Sequence, residues 1–280
     1  MSSNKPDLYR LYLANLEQHQ VFKRAFALAL IILGLVDLFY VLLVGGSLSG
    51  IYLLIILLLL VYFVLGDIIT GLITFKEPEV IIRRVASQKL REPEASDAGG
   101  LAGYAFKKLR NGNIVECREA LKHFFQLPEV APSIVRFSRM VQADMERMEG
   151  NLDSGARIIK NQVLKKKGPN SITMLVYGRV LLEQGNFLKA AEALTQSQDF
   201  FLAKIYGVPN LYKRRFKNGE FRRVIREALA VFVPYYLAKA YWAVGKEQEA
   251  GKNLHRALSL CRNKHLRELM KIDFNVSENK

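Results

Sequence analysis

Two apolar runs separated by six residues constrain this 280-residue chain more than any other feature. The first includes FALALIILGLVDLFYVLLV, from Phe26 to Val44. The break is Gly45-Gly46-Ser47-Leu48-Ser49-Gly50, and the second run includes IYLLIILLLLVYFVLG, from Ile51 to Gly66, and continues to Phe75. A helix that crosses a bilayer needs roughly 20 mostly apolar residues, and both runs reach that length. So short a break suits only a tight turn, so residues 21–75 read as a transmembrane helical hairpin. A secretory signal peptide fits poorly, because its apolar core spans roughly 7–15 residues and leads to a small-residue cleavage site. The core hairpin of a soluble protein fits poorly as well: Ile51 to Leu60 offers no polar face, which a surface helix would show.

Basic residues flank the hairpin on both sides. Lys5, Arg10, Lys23 and Arg24 precede it, Lys76, Arg83, Arg84, Lys89 and Arg91 follow it, and the turn carries no charge. Positive residues stay on the cytoplasmic side, so both termini are expected in the cytoplasm, with a bacterial inner membrane the setting that suits this arrangement. A formal net charge of +15 implies attraction to anionic lipid, acidic proteins or nucleic acid without choosing among them. Two cysteines, Cys117 and Cys261, lie far apart, which argues against a disulfide scaffold and against a zinc site.

Ahead of the hairpin, residues 1–20 place Leu8, Tyr9, Tyr12, Leu13 and Leu16 at helical spacing. Such an amphipathic segment suits either the membrane interface or packing on a soluble domain. Within the hairpin two carboxylates stand out, Asp37 and Asp67. At 1.5 Å per residue Asp37 lies roughly 15 Å from the turn, near the bilayer middle. Intramembrane carboxylates usually face protein or water, so these two read as intramembrane contacts, with an ion pathway as the alternative. Residues 76–100 then hold a short juxtamembrane helix around Val80 to Val85. A linker rich in Glu, Pro and Gly follows, and a domain of residues 101–272 begins after it. Residues 273–280 read as a tail.

That domain has an internal period. Gly112-Asn113-Ile114, Gly150-Asn151-Leu152, Gly185-Asn186-Phe187, Gly219-Glu220-Phe221 and Gly245-Lys246-Glu247 follow one another at spacings of 38, 35, 34 and 26 residues. Paired helices repeating near 34 residues are the tetratricopeptide signature. In the clearest copy, Ser171 to Leu202, Gly178 and Ala190 stand where two helices must approach closely, Gly185 stands in the turn and Leu194 fills the seam. Tyr241, Gly245, Ala250, Leu254, Ala257 and Leu258 repeat the order, and Pro234 reads as the start of a helix. On these residues the chain resembles tetratricopeptide repeat proteins over about residues 100–262. Added to the hairpin, the resemblance implies an all-α architecture, a two-span hairpin followed by an α-solenoid of about five helix pairs.

It also implies a concave groove lined by the first helix of each pair. Carried over residue by residue, the groove positions are Arg179, Leu182, Lys213, Phe216, Lys217, Tyr235, Lys239 and Trp242, a row of cations and aromatics resembling grooves that hold extended acidic peptides. A denser basic patch comprises Lys204, Arg214, Arg215, Arg222, Arg223 and Arg226, with a second around Arg157, Lys160, Lys165, Lys166 and Lys167. The histidines at 19, 123, 255 and 265 form no ligand-spaced pair, and no glycine-rich phosphate loop occurs, so the chain reads as non-enzymatic, without cofactor or metal. The expected function is a membrane-anchored scaffold that binds partner proteins and helps assemble a membrane complex, such as a bacterial secretion or flagellar-motor assembly. The alternatives are a membrane tether binding nucleic acid or anionic lipid, and a transporter or channel accessory subunit using Asp37.

Overall fold

The computed structural model describes residues 7–44, 48–86, 90, 92–94, 96–203 and 219–274. Every regular element among them is helical.

The first element, α1, is one helix from Leu8 to Val44, about 55 Å long at 1.5 Å per residue. The amphipathic segment and the first apolar run are therefore not separate units. No proline and no glycine falls between Leu8 and Leu33, so nothing interrupts the hydrogen-bond ladder where the sequence changes character. The burial pattern changes instead. Tyr12, Leu13, Asn15, Leu16 and His19 are buried in the helical domain, whereas the apolar stretch beyond Gln20 has its large side chains exposed, from Val21 and Phe22 to Leu43. One helix among the described residues is long and apolar enough to cross a membrane, and its most apolar window is 0% buried within the fold. A core helix of a soluble protein would have buried that window.

The second run divides into α2 (Leu48–Leu60), a π-helical stretch (Val61–Leu65) and α3 (Gly66–Thr74). It folds back along α1: a Cβ on Gly34 would lie 2.9 Å from Leu58, and one on Gly66 3.5 Å from Phe26. Thr70 and Thr74 donate their hydroxyls to the carbonyls of Gly66 (2.5 Å) and Thr70 (2.7 Å), which satisfies these polar groups within the helix. A short helix α4 (Pro78–Ala86) buries Ile81 and leaves Val80 and Ile82 exposed.

The remaining helices pack in consecutive pairs: α5 (Ala98–Arg110) with α6 (Ile114–Gln126), α7 (Pro132–Met148) with α8 (Leu152–Arg157), α10 (Ser171–Glu183) with α11 (Phe187–Ala203), and α12 (Gly219–Ala243) with α13 (Glu247–Leu260). A π-helical stretch and the single turn α9 (Lys165–Lys167) prolong α8. The final helix, α14 (Lys264–Asp273), is capped by Asn263, whose side chain accepts from the amides of His265 and Leu266. Four of the five repeat glycines, Gly112, Gly150, Gly185 and Gly245, sit between paired helices at φ of +75° to +83°. Each closes the same double bond. The amide of Gly185 donates to Leu182 O (3.0 Å) and that of Asn186 to Leu181 O (2.8 Å), with equivalents at the other three turns. Only glycine adopts this left-handed cap without a steric cost.

Four local expectations change. Gly219 opens α12 rather than closing a turn, and Pro234 lies inside that helix rather than at its start. A Gly-polar-apolar triplet marks a helix beginning as readily as a turn, and packing of Phe232, Val233 and Leu237 in the core carries α12 through the one hydrogen bond the proline removes. Gly99 and Gly100 belong to α5, not to a linker, because Leu101, Ala102 and Ala105 are buried there. Asp273 and Phe274, expected in the tail, pack on α12 through Tyr235 and Trp242.

Candidate functional site

The helix pairs need something to cover the face on which α10 and α12 present Arg179 and Tyr235. The chain supplies it. The N-terminal half of α1 lies there, with Tyr9 and Tyr12 edge-on or tilted against Phe232 at 5.4 and 5.7 Å between ring centroids.

At the tip of α1 stands a buried charge cluster. Asp7 precedes α1 and its Oδ1 accepts from the Arg10 amide (3.3 Å), capping the helix. Its Oδ2 accepts from Arg147 Nη2 (2.8 Å) and Arg179 Nη2 (2.5 Å). Asp144 bridges the same two arginines, at 2.7 Å from Arg147 Nε and 3.3 Å from Arg179 Nη1, and Glu183 takes Arg147 Nη1 at 2.5 Å. The Arg179 guanidinium also lies 4.9 Å from the Tyr9 ring and 5.3 Å from the Tyr236 ring, within cation–π range. Arg10 donates to Arg110 O (2.7 Å) and reaches Met148 Sδ (3.2 Å). Burial by itself would push the Asp7 carboxyl up, but the guanidiniums of Arg179, Arg147 and Arg10 outweigh it and hold the group well below the usual carboxylate range. Asp144 is lowered in the same way, against burial, by Arg147 and Arg179. Burial works against the charge of Arg179, and Asp7 foremost among its neighbours more than restores it.

A second knot holds the other end of the buried segment, where it meets α3 and α14. Asn15 Nδ2 donates to Thr74 O (2.6 Å), and Asn263 Nδ2 donates to Asn15 Oδ1 (3.2 Å) and to Lys76 O (3.1 Å). His19 stacks on Phe75 at 4.9 Å and its Nδ1 lies 3.1 Å from Thr74 Oγ1. The Arg262 amide donates to Tyr12 Oη (3.3 Å). Both apolar runs and the C-terminal helix are thus tied at one level of the molecule.

The expected groove residues are placed as follows. Arg179 does point inward, but it is 2% exposed and its carboxylate partners are the chain's own. Leu182 is half-buried within the packing of the helix pairs. Tyr235 is buried and donates to Asp273 Oδ2 (2.5 Å), which also takes Lys239 Nζ (3.2 Å). Burial, then that bond, push the Tyr235 hydroxyl upward. Trp242 is 52% exposed, with one edge on Phe274 at 6.1 Å. An open groove at Arg179 and Tyr235 is therefore replaced by an occupied one: the carboxylates a partner peptide would bring come from Asp7 and Asp273.

Lys204, Lys213, Arg214, Arg215, Phe216 and Lys217 lie outside the described residues. Asp67 falls in α3, and Arg222 and Arg223 in α12, with side chains likewise outside the description. Arg226 is exposed on α12, and Arg157, Lys160, Lys165 and Lys166 are exposed around α8 and α9. Asp37 is half-buried on α1. Cys117 and Cys261 are buried free thiols, each pushed up to about 12 by burial. Among the described residues no group of three or more His, Cys, Asp or Glu could hold a metal ion. Sequence reasoning passed over Asp7 as a ligand of Arg179; the only signal available was an acidic residue one position ahead of an amphipathic helix.

No family model, no curated protein and no solved structure matches this chain.

Proposed function

We propose that the protein is a membrane-anchored scaffold of the tetratricopeptide type. Residues 21–75 form a two-span anchor with both termini in the cytoplasm of a bacterial cell, and the helix pairs form a solenoid that recruits partner proteins to a membrane assembly. The observation that carries this reading is the unbroken helix α1, half buried in the domain and half exposed and apolar. A domain held this way has a fixed height and orientation on the membrane, as an assembly scaffold requires and a flexible tether does not supply. The repeat reading rests on the four left-handed glycine turns and on the close approach at Gly178, where a Cβ would lie 2.5 Å from Leu194 Cγ.

Because α1 fills the inner face at Arg179, the partner docks on what remains: the edge around exposed Trp242 and the basic surface that includes Arg226. Exposed Trp and Arg are the side chains that most often dominate protein interfaces. The test is crosslinking in intact cells followed by membrane purification, comparing wild type with Trp242→Ala/Arg226→Glu. A small set of protein crosslinks on residues 219–245, lost in the double variant, supports the scaffold. Recovery of nucleic acid in place of protein supports the tether reading, which the exposed Arg157, Lys160, Lys165 and Lys166 favour. Crosslinks confined to 21–75, abolished by Asp37→Asn, support an accessory subunit acting within the membrane.

A further inference from the structure

A cavity of about 330 Å³ lies beside α1 where that helix leaves the domain, between α1, α4 and α5. Three cations line it, Arg84, Lys107 and Arg110, against one carboxylate, Glu17. Arg110 pairs with Glu17 through Nη1, which leaves a surplus of positive charge. Arg84 Nη1 donates to Gln18 Oε1 (3.1 Å), so the Gln18 amide presents its nitrogen as the remaining group. That nitrogen, Gln18 Nε2, and Arg110 Nε are both buried donors with no hydrogen-bond partner. Each belongs to a residue only 8% exposed that lines the cavity. Buried donors without acceptors are rare and costly, and a rotation of either side chain would turn its donor toward a multivalent anion held in this cationic cavity.

The height of the cavity says which anion. Its lining includes Val21 and Phe22, 59% and 40% exposed, immediately after Gln20 at 6%. This is the level at which α1 changes from domain core to apolar surface, and basic pockets at that level suit lipid headgroups. We propose that the cavity binds the phosphate of an anionic membrane phospholipid, with Lys107, Arg84, Arg110 and Gln18 around the phosphate oxygens and the acyl chains leaving along Val21 and Phe22. The proposal rests on the membrane reading above. It adds a lipid to the scaffold's attachment and makes the seating of the domain depend on membrane composition.

The experiment uses the full-length protein, first tested for resistance to alkaline carbonate extraction from membranes and then purified in detergent. Native mass spectrometry with added phosphatidylglycerol or phosphatidylcholine compares wild type, Gln18→Leu, Lys107→Glu and Lys160→Glu. Lys160 is exposed on another part of the domain, so its reversal controls for bulk charge. The expected result is one saturable phosphatidylglycerol adduct in wild type and Lys160→Glu. Lys107→Glu, a swing of two charges, weakens it roughly thirtyfold, Gln18→Leu weakens it too, and phosphatidylcholine is retained poorly by every form. Equal retention of both lipids, or of phosphatidylglycerol by all four proteins, overturns the site while leaving the anchor intact. Thermal stabilisation by inorganic phosphate alone, matching that by the lipid, assigns the cavity to a soluble phosphate and overturns the lipid. Release by carbonate removes the membrane reading, and the lipid proposal with it.

Discussion

Replacing Asp7 tests whether the tip of α1 is an internal ligand of the helical domain. Its Oδ2 serves Arg147 at 2.8 Å and Arg179 at 2.5 Å, and both arginines are almost wholly buried. Removing one member of a buried ion pair costs about 3–5 kcal/mol, because a charge is left without its partner in a low dielectric. Here the arginines keep Asp144, and Arg147 keeps Glu183, so Asp7→Ala falls at the lower end, about 3 kcal/mol. Loss of the cap on the Arg10 amide adds about 1 kcal/mol. In a domain of this size each kcal/mol moves the melting temperature by roughly 2–4 °C, so the detergent-solubilised protein melts roughly 8–16 °C lower. Asp7→Asn keeps the cap and loses only the charge, and falls between. A double-mutant cycle with Arg179→Met gives a coupling well above the 0–1 kcal/mol typical of exposed pairs. A shift below about 2 °C for Asp7→Ala, or no coupling, refutes the reasoning. The pH dependence carries a definite sign. The folded carboxyls of Asp7 and Asp144 lie below their unfolded value, so their contribution is complete above about pH 4 and drains away as pH falls toward the folded values.

Two further outcomes follow from packing. Gly178→Ala drives a Cβ into Leu194, a fully buried side chain, and lowers stability by about 1–3 kcal/mol. Gly251→Ala, on a helical position with nothing within 4 Å, raises it by about 0.4–1 kcal/mol; the two melts move in opposite directions. Cys117 and Cys261, buried and with thiols pushed up to about 12, are not labelled by maleimide until the protein is unfolded, and labelling of either in the native protein contradicts their placement.

The turns were legible because physics ties them to one residue type: φ near +80° after a helix selects glycine, and Gly112, Gly150 and Gly185 stand 38 and 35 residues apart, with Gly245 in a turn of the same kind. Gly178 was legible for a related reason, since the missing side chain marks the closest helix crossing. Gly219 misled because the same triplet also opens a helix, and Pro234 because proline is commoner at a helix start than inside one. The apolar face of residues 8–20 was visible in its periodicity, but periodicity states that a face is covered and not by what. Arg179 is buried, and its ligand lies 172 residues earlier in the chain, a distance no local pattern reports. The cavity at Gln18 and Arg110 joins three elements and had no signal in the sequence.

The most direct test of the account places a photoreactive amino acid at Tyr9 of the full chain in intact cells. Tyr9 lies against Phe232 and the Arg179 guanidinium, so irradiation gives intrachain crosslinks mapping to α10 and α12, with the protein still resistant to carbonate extraction. Adducts to lipid, or to another protein with α10 and α12 unmodified, contradict the claim that a single helix joins the interior of this domain to the apolar anchor.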